Sequence, residues 1–253
     1  MKIVITIEAR MGSTRLPGKV LMSILGRPML ALMVERLRQV RLANQIVVAT
    51  TDNPTDDPIA GLARSLGVAC FRGSETDVLA RVLLAARKAQ ADLIVETTGD
   101  CPLIDPEAID QVIDVFTKND VDYCSNTLQR TYPRGMDVQV FPLTLLEKVA
   151  QLTHDPVDRE HVSLYIYQHP ERFRLLNVPS NLPPHLGEIR LTVDTAEDLE
   201  LIKRICETLY PTCPAFRLKD ILDLVDRQPW LININQHIKQ KPVHRGIKCT
   251  EQQ

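Results

Sequence analysis

Residues 2–21 read KIVITIEARMGSTRLPGKVL. A short β-branched run stops at Glu8, and a loop holding Arg10, Gly12, Ser13, Arg15, Pro17, Gly18 and Lys19 follows. A strand without polar alternation is apolar on both faces, as the strands of a helix-covered parallel sheet are. The pattern then recurs: QIVVAT, VACF and DLIVETTGD follow in turn. The four runs precede amphipathic stretches that predict helices over residues 29–40, 58–66, 78–90 and 106–119. Such alternation predicts an α/β fold, a three-layer core with a mostly parallel central sheet between helices. Ligands of these sheets bind beyond the C-terminal strand ends, which is where the basic loop falls.

After residue 120 the rhythm changes. VDYCSN, DVQVFP, FRLLNVP and EIRLTVD read as strands around a helical HVSLYIYQHPERF, which predicts a mixed-sheet elaboration in the second half. We expect a single domain over residues 1–235, followed by a polar, basic tail or arm over residues 236–253.

The chain has 253 residues, 44% of them hydrophobic, enough for a full core. Its 30 basic and 32 acidic residues leave a net charge of -2, which excludes a general nucleic-acid binder and makes any anion site local. The six cysteines are scattered without zinc spacing and read as reduced thiols. The first apolar run is too short for a signal sequence, and nothing approaches the roughly 20 apolar residues of a membrane span. A cytoplasmic protein without a membrane partner is expected.

In the basic loop, Gly12 permits close backbone approach, Arg10 and Arg15 offer planar multi-donor groups, and Lys19 adds a compact charge. The spacing is neither GxGxxG nor the P-loop. Charge and turn chemistry leave two readings level: a triphosphate clamp, or a solvated basic loop with a Pro-Gly turn. In TTGDCPLIDP, residues 97–106, Asp105 and Pro106 make an N-cap and N1 pair, so Asp100 has no structural task. A carboxylate at that strand end suits Mg²⁺. In IRLTVDTAEDLELI, residues 189–202, Thr195 and Asp198 form a capping-box pattern. Asp194 would end a strand and could complete a metal site, although spacing alone favours a turn or capping aspartate. YPRGMDVQVF sets Arg134, Gly135 and Asp137 at a turn, and His161 and Tyr165 stand four apart on one predicted helix face.

Together these segments resemble the cytidylyltransferases that make CMP-activated acidic sugars, the CMP-Kdo and CMP-sialic acid synthetases, and most closely their SpsF-like branch. ARMGSTRLPGKVL is similar to the nucleotide loop, GDCPLIDP to the metal-aspartate motif and VDTAEDLE to the later motif completing the metal site. SETDVLARV resembles the base-side segment, but with Glu75, Val78 and Arg81 where the Kdo enzymes have glycine, arginine and glutamate. HVSLYIYQ resembles their sugar-side segment, with Ser163 for a glycine and Gln168 for an arginine. The resemblance extends from residue 2 to about residue 241, including PWLININQHIKQK.

The resemblance implies a Rossmann-like nucleotidyltransferase fold with a nucleotide part over about residues 1–120 and a sugar part over about 121–235. It implies transfer of CMP from CTP to the anomeric hydroxyl of a sugar acid, for surface polysaccharide or glycoconjugate synthesis, with no nucleic-acid partner and a homodimer as the expected assembly. Arg10, Lys19, Asp100 and Asp194 would be catalytic, and Asp100 and Asp194 would hold Mg²⁺. Ala9, Arg10, Gly12, Ser13, Arg15, Lys19, Ser74 and Asp77 would bind nucleotide; Asn126, Arg134, His161 and Tyr165 would bind the sugar. Two rival classes stand beside it: a nucleotide-sugar glycosyltransferase using Asp120-Val121-Asp122 as a DxD metal motif, and a non-catalytic nucleotide or sugar binder.

Overall fold

The computed structural model describes residues 1–241. Strand β1 (Ile3–Glu8) leads through the basic loop into a 3-10 turn (Lys19–Leu21) and a small hairpin, β2 (Ser23–Ile24) and β3 (Arg27–Pro28). Then follow α1 (Met29–Leu37), β4 (Gln45–Thr51), α2 (Asp57–Ser65), β5 (Ala69–Gly73), α3 (Val78–Lys88), β6 (Leu93–Thr98) and α4 (Pro106–Lys118). The second half adds β7 (Tyr123–Ser125), β8 (Gln139–Pro142), α5 (Leu143–Leu152), α6 (Pro156–Glu160), α7 (Leu164–Tyr167), β9 (Leu175–Asn177) and α8 (Pro184–Gly187). Helices α9 (Ala196–Leu209) and α10 (Leu218–Arg227) and a 3-10 segment (Pro229–Ile234) complete it.

The sheet order is β5-β4-β1-β6-β8-β7-β9. β1 pairs in parallel with β4 and β6, and β4 with β5; β8 runs antiparallel to β6 and β7. This is the three-layer, Rossmann-like α/β arrangement with its mixed extension on the β6 side. Alternation along β1 explains the layers. Ile3, Ile5 and Ile7 face a core shared with α1, α4, α9 and α10, while Val4 faces one shared with α3 and α5. All four side chains are buried, as is Thr6 between them, so the strand reads as a nearly continuous apolar run.

Helix α1 starts at Met29, where the sequence predicts it, after a hairpin with left-handed Leu25 and Gly26 that separates it from the basic loop. Two expectations change. EIRLTVD forms no strand, because its partners are loops: Arg134 N donates to Ile189 O at 3.0 Å, Leu191 N to Arg134 O at 2.7 Å and Val193 N to Asp100 O at 2.8 Å. Only an isolated bridge between Arg134 and Arg190 results. HVSLYIYQHPERF is not one helix: α6 ends at Glu160, Val162 has φ of 23°, and α7 covers only Leu164–Tyr167. His161 and Tyr165 therefore do not share a helix face. The expected tail over residues 236–253 lies largely outside the described residues; of its start, Gln240 accepts a hydrogen bond from Arg190 Nη1 at 2.6 Å.

Candidate active site

The C-terminal ends of β1 and β6, the basic loop and the extended segment after α8 enclose a cleft of about 650 Å³. The backbone joins its walls: Gly99 N donates to Glu8 O at 2.8 Å, and a Cβ on Gly99 would stand 2.9 Å from that oxygen. Only glycine allows the β6 loop to lie this close to β1. Asp100 is thereby brought against the basic loop.

Lys19 binds the two strand-end carboxylates together. Its Nζ is 3.2 Å from Asp100 Oδ2, 2.8 Å from Asp194 Oδ1 and 2.8 Å from Val193 O. Asp194 Oδ2 is met by Arg15 Nη2 at 2.9 Å and Arg190 Nη2 at 2.6 Å. Burial opposes charge on both partners, yet attraction wins: the carboxylates hold Lys19 above the ordinary lysine value, and Lys19, Arg15 and Arg190 hold Asp194 below the ordinary aspartate value. Behind them, fully buried Asp198 accepts from Arg190 Nε at 2.9 Å, Asp194 N at 2.9 Å and Asn235 Nδ2 at 2.9 Å. The capping box of α9, with Thr195 and Asp198, is thus also what orients Asp194.

The cleft gathers Ala9, Arg10, Gly12, Ser13, Arg15, Lys19, Asp100, Asp194, Arg134 and His161. Ser13 N already donates to Met11 O at 2.9 Å, so the cradle is less backbone-lined than the loop's glycine suggested. Four expected residues lie off the cleft lining. Asn126 is fully buried, its amide fixed to Met136 O at 2.6 Å and Val138 N at 2.9 Å. Tyr165 packs on His169 and Phe173 and accepts from Arg172. Ser74 and Asp77 shape the start of α3: Asp77 N donates to Ser74 Oγ at 3.0 Å, and Asp77 caps Ala80 N at 2.9 Å and pairs with Arg159.

Sequence reasoning missed Glu8 and Arg190, and it named Arg81 and Asp137 within motifs without assigning them a role in the cleft. A charge terminating an apolar strand was the available signal for Glu8. Burial pushes its carboxyl up to about 7, against the attraction of Arg81 and with repulsion from Asp100. Cys101 is buried, and burial and Asp100 push its thiol well up, away from the activated thiolate a nucleophile needs. Asp120 and Asp122 pair with Arg174 and do not line the cleft, which removes the DxD reading's structural support.

Asp100 and Asp194 are the carboxylates that could hold a metal in the cleft. Among the described residues no three His, Cys, Asp or Glu side chains form a cage. Two carboxylates sharing one ammonium do fit Mg²⁺, which takes one or two carboxylates and leaves the remaining positions to phosphate and water.

The sequence profile of the cytidylyltransferase family matches residues 3–216. The chain belongs to the cytidylyltransferase family. As a cytidylyltransferase it falls in the SpsF-like branch: the spore coat polysaccharide biosynthesis protein SpsF of Bacillus subtilis is 34% identical over 90% of this chain and 95% of its own. The 3-deoxy-manno-octulosonate cytidylyltransferase of Chloroherpeton thalassium is 35% identical over 81% of this chain and 98% of its own. A cytidylyltransferase structure from Leptospira borgpetersenii superposes with a TM-score of 0.88 at 36% identity, covering 96% of this chain and all of that one. In this cytidylyltransferase no helix among the described residues is long and apolar enough to cross a membrane.

Proposed function

We propose that this cytidylyltransferase transfers CMP from CTP to the anomeric hydroxyl of a sugar acid, releasing pyrophosphate, in the synthesis of a surface polysaccharide or glycoconjugate. The observation that carries the sugar-acid reading is Arg134: it lines the cleft, is half-buried and has no ion pair among the described residues. A guanidinium in that state suits a carboxylate bidentately. The names of its relatives, SpsF and an octulosonate cytidylyltransferase, support the same substrate class.

In the proposed step the anomeric oxygen bonds to the α-phosphorus of CTP, and the bond from that phosphorus to the bridging oxygen breaks. Pyrophosphate takes the electron pair, and the hydroxyl proton passes to solvent. Such transfer needs in-line positioning and charge neutralisation rather than a covalent intermediate. Arg10, Arg15 and Lys19 would bind the triphosphate, with Ala9, Gly12 and Ser13 lining its path. Arg134 would orient the sugar carboxylate and His161 its hydroxyls. Mg²⁺, held by Asp100 and Asp194, would neutralise phosphate charge and lower the pKa of the attacking hydroxyl.

The test is pyrophosphate release with Mg²⁺, each of the four nucleoside triphosphates, and a panel of eight- and nine-carbon ulosonic acids and neutral sugars. Release confined to CTP and a sugar acid is expected. Release with only neutral sugars would overturn the assignment to Arg134.

A further inference from the structure

Two buried carboxyl oxygens in this protein have no hydrogen-bond partner among the described residues: Glu8 Oε1 and Glu96 Oε2. Unsatisfied buried acceptors are uncommon, and two near each other call for one explanation. Strands β1 and β6 pair with Thr6 opposite Glu96 and Glu8 opposite Thr98. Glu8 is two residues from Thr6, so its side chain leaves the same face of the sheet as Glu96, on an adjacent strand.

The two groups differ in access. Glu96 is 4% exposed and sits beside Ser163 and Gln139, whose side chains bond each other at 2.5 Å. Glu8 lines the cleft. Burial, and after it the charge of Glu8, pushes Glu96 well above the carboxylate range, the direction that favours a proton on this face of the sheet. Glu8 Oε1 is the acceptor without a donor on that face. A proton shared from Glu96 to Glu8 would satisfy both unpartnered atoms and would hold the Glu8 carboxyl in place at the cleft wall.

The surroundings of Glu8 select what it meets. A carboxylate repels a triphosphate and a sugar acid, and both have cations elsewhere in the cleft, at Arg15 and Lys19 and at Arg134. Ala9, the apolar side chain of Val78 and Arg81 line the same cleft, and the charges that act on Glu8 are those of Arg81, Asp100 and Arg10. Arg81 Nη1 donates to the carbonyl oxygens of Ser74 and Glu75, while its buried Nε has no hydrogen-bond partner and makes none with Glu8 among the described residues. What fits is a neutral, flat group with a hydrogen-bond donor on its edge. Cytosine presents an amino donor where uracil presents a carbonyl acceptor.

We propose that Glu8, oriented by a hydrogen bond from buried Glu96, accepts the cytosine amino group and sets the preference for CTP over UTP. This rests on the cytidylyl-transfer reading and deepens it. Glu8 touches the substrate, and Glu96 is a positioning residue acting through it. A site that hydrogen-bonds a ligand group rejects the analogue lacking it, because its own polar group is left unpaired.

The experiment is calorimetric binding of CTP, UTP and inorganic tripolyphosphate, each with Mg²⁺, to wild-type protein and to Glu8→Ala, Glu8→Gln, Glu96→Gln and Glu96→Met. Wild-type protein is expected to prefer CTP. Glu8→Ala is expected to lose on the order of tenfold for CTP, matching the loss of a hydrogen bond to a charged group, with tripolyphosphate unchanged. Glu8→Gln, which keeps the shape and adds a donor for the uracil carbonyl, is expected to narrow the CTP to UTP ratio. Glu96→Gln retains a donor and should bind CTP as wild type does, whereas Glu96→Met should follow Glu8→Ala. Unchanged CTP affinity in both Glu8 variants, or equal losses for CTP and tripolyphosphate, would overturn the proposal. Wild-type protein that binds tripolyphosphate but not CTP would overturn the cytidylyl reading itself, and this assignment with it.

Discussion

Lys19 and Asp194, 175 positions apart in the chain, meet at 2.8 Å and join the first loop to the segment ahead of α9. The ammonium also touches Asp100, so one side chain presets the spacing of the two carboxylates. Lys19→Ala therefore removes a phosphate ligand and the tie between the walls. The expected result is a rise of at least about tenfold in KM for CTP, the scale of a lost charge-assisted hydrogen bond, with a smaller change for the sugar. Steady-state pyrophosphate release with each substrate varied in turn checks it; an unchanged CTP dependence would remove Lys19 from the triphosphate site.

Asp100 accepts from Thr98 Oγ1 at 2.6 Å and from Lys19, and has no capping task. Asp100→Asn keeps the shape and removes the charge. Turnover is expected to fall by at least about a hundredfold, the scale of losing one transition-state electrostatic contact, while the melting temperature stays close to wild type. Near-normal turnover at saturating Mg²⁺ would remove its metal role.

Arg134→Ala should raise KM for the sugar acid by about tenfold or more and leave CTP binding unchanged, since a charged hydrogen-bonded partner is lost on one substrate only. The readout is the KM for each substrate measured at saturation of the other. A rise in the CTP value alone would place Arg134 on the nucleotide.

The alternation of strands and helices was legible because buried parallel strands leave a nearly unbroken apolar run, as in 3–7 and 46–49. The cationic loop was legible as a cluster at a strand end, but charge and turn chemistry left a clamp and a solvated loop level, and only the family resemblance favoured the clamp. Asp100 stood out because Asp105 had already taken the cap. Other features depend on distant partners. EIRLTVD has strand-like alternation, but it lies against loops at Arg134 and Asp100, which offer no ladder. Glu8 looks like an ordinary strand terminus until β1 is paired with β6 and Glu96 comes beside it. Asn126 looked like a sugar ligand because nothing local shows that Met136 and Val138 occupy its amide.

Gly135 has φ of 98°, and a Cβ there would stand 2.7 Å from the carbonyl carbon and oxygen of Leu191. Gly135→Ala combines left-handed strain with a backbone clash and should cost about 1–3 kcal/mol or more. For a domain of this size each kcal/mol lowers the melting temperature by about 2–4 °C. Because Leu191 bridges Arg134 to the segment carrying Asp194, the KM for the sugar should rise as well. Calorimetric melting and kinetics on one preparation test both; a variant as stable as wild type would show that the turn can open without loss.

Asp194 carries a pH dependence whose sign is fixed by its partners. Burial raises its pKa, but Lys19, then Arg15 and Arg190, bring it below the ordinary value, so the ionised form is favoured by folding. Its stabilisation is therefore full above the unfolded carboxylate value of about 3.9 and is lost as pH falls through the lower folded value. Asp194→Asn removes the partner of three cations, a change that costs about 3–5 kcal/mol for buried pairs. The difference in melting temperature between wild type and variant should hold steady from pH 7 to about 5 and close below about pH 4. A difference that persists undiminished into that acid range would mean that Asp194 acts through shape and hydrogen bonding, and that its ion pairs with Lys19, Arg15 and Arg190 contribute little to the fold.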